Sequence, residues 1–222
     1  MGQAFGQLLP LAVAAAVSSV PITIMILVLL SPKRNLAALP YLLGYVLGAG
    51  VVLLLGTLAA QLLPESRPRQ PQTAIGVLEI LLGAFALILG LRAIRRRPER
   101  EDGEASTWTR AASSLGAVSA AGIGLALNVR PKALVLAAAA SLTLRSAHIA
   151  WEQTAVLIVV YAAIATSTVV VPIVATLVSP QGMEPRLLAA QEWLTANGQA
   201  VTAVVMIIIG AIVLGTGIAN LT

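Results

Sequence analysis

Cysteine is absent from the 222 residues, which excludes disulfides, thiolate metal sites and thiol redox chemistry. Histidine occurs once, as His148, with no second histidine and no acidic cluster nearby, so no metal site is expected. Only one carboxylate, Glu79, lies plainly inside an apolar stretch. No Ser/His/acid triad, paired carboxylates or glycine-rich phosphate loop assembles from so sparse a set. The expectation is a protein that is not an enzyme and needs no cofactor.

Charge is scarce as well: 10% of residues are charged and 58% are apolar, far outside the range of a soluble domain. Six apolar stretches stand out, approximately 7–30, 37–63, 73–93, 115–143, 152–178 and 200–221. A helix needs about 20 such residues to cross a hydrocarbon core of roughly 30 Å. The runs are continuous and rich in Leu, Ala and Val, without the alternation of barrel strands. The predicted fold is therefore all-α, a polytopic membrane protein of six transmembrane helices. Residues 1–9 carry no Lys or Arg, so the first stretch reads as a retained helix and not as a cleaved signal.

The net charge of +5 does not point to nucleic acid, because the basic residues gather beside the apolar runs. Loops after spans one, three and five hold Lys33, Arg34, Arg92, Arg95, Arg96, Arg97, Arg100, Arg110 and Arg186; the other loops and termini hold only Arg67, Arg69 and Arg145. Nine against three places the odd loops in the cytoplasm and both termini outside. The chain then divides into a three-helix half, 1–98, a charged cytoplasmic linker, 99–114, and a second half, 115–222. An interfacial helix near 183–198 is expected within the second half, with Leu187, Leu188, Gln191 and Leu194 near one face and Trp193 at headgroup level.

Two three-helix halves joined by one cytoplasmic linker are oppositely oriented, the inverted-repeat plan of many secondary transporters. A faint echo supports it: Pro21 and Ser31 recur as Pro131 and Ser141, and Tyr45 and Tyr161 sit comparably in spans two and five.

The most informative segment is Asn128, Val129, Arg130, Pro131 and Lys132, deep in span four. Proline removes a backbone hydrogen bond and frees carbonyls, so span four is expected to break there. Two cations in mid-span cost about 2.5 to 3.5 kcal/mol each, so they should face a polar cavity or a partner, or snorkel to the interface. Pro21, beside Ser18, Ser19 and Thr23, supplies the matching irregularity in span one. Half-broken helices meeting near the midplane are the usual ingredients of a substrate site.

Gly76, Gly83 and Gly90 recur every seven residues and share a helix face with Glu79, which predicts close packing on another helix. Glu79 then faces inward, as a proton-coupling carboxyl or as a static ion-pair partner of Arg130 or Lys132. Gly44 and Gly48 form a GxxxG pair, for packing within the chain or for a homodimer seam.

The run from Val20 and Pro21 through Leu30, Ser31 and Pro32, followed by Tyr41, Leu42, Leu43, Gly44 and Tyr45, resembles the opening of the Gap/Sap family of glycopeptidolipid and sulfolipid addressing proteins. That family is grouped with the LysE exporter superfamily, whose fourth span opens on an Asn-Pro-Lys signature. Asn128, Pro131 and Lys132 look like its counterpart, with Val129 and Arg130 interposed. The resemblance implies an actinobacterial, mycobacterial source and a plasma-membrane protein that helps move glycolipid or peptidoglycolipid toward the cell surface. The wider superfamily implies export of amino acids or small ions as the alternative. A non-transporting scaffold for lipid-export machinery is the third reading.

Overall fold

The computed structural model describes residues 1–62, 73–95 and 116–221. The expected linker 99–114 and the basic residues Arg67, Arg69, Arg96, Arg97, Arg100 and Arg110 lie outside the described residues.

Every regular element among the described residues is helical. In chain order these are α1 (Gly2–Ala16), α2 (Ser19–Leu30), α3 (Arg34–Ala60), α4 (Thr73–Arg95), α5 (Ala117–Ala126), a 3₁₀ turn (Leu127–Val129), α6 (Pro131–Ser146), α7 (Trp151–Val178) and α8 (Pro180–Ala219). Four of them, α3, α4, α7 and α8, are each long and apolar enough to cross a membrane. Two bent pairs, α1 with α2 at 48° and α5 with α6 at 62°, pass the same test together, which makes up to six spans.

The side chains are distributed as lipid demands. Along α3 the large residues Leu36, Leu39, Leu43, Leu47, Val51, Leu55 and Leu58 point outward, while Ala37, Ala38, Gly44, Gly48 and Thr57 are buried. An exposed apolar belt around a core of small residues suits hydrocarbon and would aggregate in water. The chain is a membrane protein.

Small residues also decide which helices touch. A Cβ at Gly83 would lie 2.6 Å from the Leu214 nitrogen and 2.8 Å from the Gly210 oxygen; one at Gly76 would lie 2.9 Å from the Gly217 oxygen. The expected glycine face of span three therefore packs on α8, glycine against glycine. The GxxxG pair of α3 packs within the chain: a Cβ at Gly44 would collide with the Ala121 backbone, and one at Gly48 would stand 2.6 Å from Asn128 Nδ2. The two most extensive helix pairings, α4 with α8 and α3 with α5, join the first half to the second, so the halves interlock.

The segment 183–198 differs from expectation. It is the leading part of α8, a continuous helix of 40 residues, and not a helix of its own. At 1.5 Å per residue α8 is about 60 Å long, twice a hydrocarbon core. Leu187, Ala190 and Leu194 meet the core while Leu188 and Trp193 stay exposed. Polar residues at 184–199 read as a boundary in sequence, yet Ala, Leu, Gln and Glu continue a helix without penalty.

Candidate functional site

Both bent spans break just before a proline, not at it. In the first, Ser18 is extended (φ −117°, ψ 113°) and α2 starts at Ser19, so Pro21 sits in the opening turn, where a missing N–H costs nothing. In the second, Arg130 is extended (φ −74°, ψ 151°) and Pro131 is the first residue of α6. A residue ahead of proline is driven out of the helical region by the ring, which accounts for Arg130. Pro21 was expected to be the breaking residue of span one, and the break at Val17 and Ser18 corrects that.

The carbonyls released by the first break are met from the second half of the chain. Lys132 donates from Nζ to the Val17 oxygen at 2.9 Å, and Thr168 of α7 donates from Oγ1 to the Ala16 oxygen at 2.7 Å. These oxygens form the electronegative end of α1, where a cation is favoured. The second break is secured by Asn128, whose Nδ2 donates to the Tyr45 and Gly124 oxygens, each at 3.1 Å. Tyr41 donates its hydroxyl to the Pro21 oxygen at 2.8 Å and stacks on Tyr45, ring centres 6.2 Å apart.

A cavity of about 40 Å³ lies where the breaks meet, lined by Ser18, Pro21, Tyr45, Asn128, Arg130, Lys132 and Tyr161 among others. It has room for a water molecule or a very small solute and nothing larger. Ser18, Arg130 and Lys132 also line a neighbouring hollow of about 240 Å³, shared with Ser19, Arg92, Gln199 and Thr202. Ser19 and Thr202 approach there, oxygen to oxygen, at 3.4 Å. Toward the other ends of α3 and α6, Thr57, Gln61, Arg145 and His148 line a third hollow of about 340 Å³. Leu53 of α3 and Ala140 of α6, both at 0% exposure, lie along those helices between the central cavity and this hollow.

Among the expected site residues, the structure gathers Ser18, Pro21, Asn128, Arg130 and Lys132 around one cavity and Ser19 beside it. Pro131 acts by placing its neighbours and lines neither space. Thr23, one turn beyond Ser19, lines neither as well. Glu79 is elsewhere: it accepts a hydrogen bond from Asn220 Nδ2 at 2.7 Å, near the start of α4. Thirteen residues of helix separate it from Arg92, about 20 Å along the axis. Of the two roles considered for Glu79, proton coupling or an ion pair with Arg130 or Lys132, the second gives way to this contact, which ties α4 to the end of α8.

Tyr45 and Tyr161, read in sequence only as an echo between the halves, line the same cavity. Thr168 and Thr202 carried no sequence signal beyond being polar within apolar runs, and Gln199 none beyond bordering one.

A sequence profile described as Sap, sulfolipid-1-addressing protein, matches residues 8–219. The chain belongs to the sulfolipid-1-addressing protein family. The match runs from α1 to the end of α8, so the paired breaks, Lys132 and Thr168 all lie within the family region. No curated protein and no solved structure matches the chain.

Proposed function

We propose that this protein helps export an anionic glycolipid or peptidoglycolipid from a bacterial plasma membrane, working as a secondary-transporter-like carrier. Family membership supports the lipid. The observation that carries the mechanism is the bond from Lys132 to the Val17 carbonyl, which joins one broken span to the other. Discontinuous helices whose loosened backbone meets a charged side chain near mid-depth are what alternating access uses to bind and release cargo.

In this reading six spans form an inverted 3+3 arrangement with both termini outside, and the Arg92 hollow faces the cytoplasm. An anionic headgroup draws Lys132 away from Val17, which frees the junction of α1 and α2 to re-angle against α6. The hollow at Arg145 and His148 is the exit, closed by Leu53 and Ala140 in this conformation. Glu79 is the group that would couple the cycle to protons, acting through the α4–α8 seam. The relation to the LysE exporters, with their Asn-Pro-Lys signature, fits the same mechanism. The small central cavity favours one further reading, in which the cargo is an amino acid or small ion. The satisfied state of Lys132 favours another, a scaffold in which the lysine is only a helix cap.

The test compares surface-exposed lipids in a deletion strain carrying wild type, Lys132→Ala or Lys132→Arg at equal membrane levels. Export restored by wild type alone supports carriage; full restoration by Lys132→Ala supports the scaffold. No lipid change in the deletion strain removes the lipid and leaves amino-acid and ion efflux to be measured.

A further inference from the structure

The basic hollow does not stand alone. On the surface next to it runs an apolar groove of about 310 Å³ between α1 and α8, lined only by aliphatic residues and Pro10. The two spaces meet at the α1–α2 junction. Val17 lines the groove and its carbonyl accepts the bond from Lys132, while the next residue, Ser18, lines the hollow. On α8 the same handover occurs within one turn: Thr202 lines the hollow, Val205 and Ile208 the groove. Residues 202 to 209 of α8 span about 10 Å, so the polar and apolar compartments lie side by side along the same helix.

Among the described residues, the charged side chains lining the polar end are all basic. Arg92, Arg130 and Lys132 line the hollow, and no carboxylate is found among its lining residues in the described structure. Guanidinium groups donate paired hydrogen bonds to phosphate or sulfate oxygens, and a hollow of like charges attracts an anion strongly where water is scarce. The groove at the other end offers nothing to a polar ligand. Only a molecule with an anionic head and an aliphatic tail satisfies both.

We propose that the crevice between the α1–α2 junction and α8 is a lateral seat for one anionic lipid, its headgroup at Arg92, Arg130 and Lys132 and one acyl chain against Val13, Val17, Val205 and Ile208. The proposal rests on the lipid-export reading and adds to it the place and direction of loading. The lipid enters sideways from the bilayer with its chain left in hydrocarbon, so the 40 Å³ central cavity never has to hold the whole molecule.

The test uses the full chain in phosphatidylcholine vesicles containing either phosphatidylglycerol or phosphatidylcholine with a photoactivatable diazirine near the chain end. Adducts are then mapped by mass spectrometry. Phosphatidylglycerol should label groove residues about tenfold more than the choline lipid does, and Arg92→Gln should erase most of that preference. Ile208→Trp and Val13→Trp, which fill the groove from opposite walls at exposed positions, should abolish the groove adducts, while Val159→Trp on the exposed face of α7 should not. Equal labelling by both headgroups would make the groove ordinary lipid-facing surface and overturn the seat. Inorganic phosphate that protects the hollow while leaving chain adducts unchanged would make the hollow a free-anion site, also overturning it. Export that survives Arg92→Gln and Ile208→Trp together removes the seat and leaves the export reading intact. Adducts as expected, with Lys132→Ala still exporting, keep the seat and remove the carrier.

Discussion

Lys132 of α6 donates to the Val17 carbonyl at 2.9 Å, across 115 positions of sequence, and so closes the gap in one broken span with the first turn after the gap in another. Neither partner makes sense alone. A lysine near mid-span needs an acceptor or an opening, and a helix that stops near mid-depth needs a donor for its last carbonyls. Each break supplies what the other lacks.

Thr168 shares that task at Ala16. Thr168→Val keeps the shape and removes the donor, leaving the Ala16 oxygen with the Ser18 N–H, 2.9 Å away. The loss should be about 1 kcal/mol, read as a lower unfolding temperature in detergent, with Thr168→Ser close to wild type. A Thr168→Val protein as stable as wild type would show that the α1 terminus needs no second donor.

The α4–α8 seam depends on glycine. Gly83→Leu must push aside the Leu214 and Gly210 backbones, so it should sharply reduce folded protein recovered from membranes. Gly215→Leu, whose Cβ direction is open, should be recovered normally by the same fluorescence size-exclusion assay.

Glu79 separates structure from coupling. In Glu79→Gln the side-chain oxygen still accepts from Asn220, so the seam should hold and unfolding temperature should stay within a few degrees. Proton-driven export should nonetheless fall about tenfold or more, because the amide cannot carry a proton. Stable protein with full export would remove proton coupling through this residue.

The apolar runs were legible because each is continuous and long, and the Arg and Lys of mid-span marked the site through their insertion cost alone. The breaks were legible to within a turn, since proline announces an irregularity but also stabilises the turn it opens; hence Val17 and Ser18, not Pro21, carry the gap. Lys132 stood out as a cation, while its acceptor did not, because every carbonyl in α1 looks alike in sequence. Thr168 was hidden for the same reason: its partner is set by how α7 leans on α1. The continuity of α8 was missed because polar residues at 184–199, with Pro185 and Gly198 among them, mimic a boundary, although the helix runs through both. Glu79 misled on its partner, since its depth within span three was plain but the register of α4 against α8, which brings Asn220 beside it, is a property of the packed glycine seam.

Alternating access requires Ser18 to sit at a gate that is open toward Arg92 and closed toward His148 in this conformation. A chain without cysteine makes this directly measurable: a single Ser18→Cys variant in vesicles of known orientation, labelled from each side with a membrane-impermeant maleimide. Labelling should come from the Arg92 side alone at rest, and from the His148 side when export is running or when Lys132→Met breaks the tie to Val17. Labelling confined to one side under every condition would contradict alternating access at this junction.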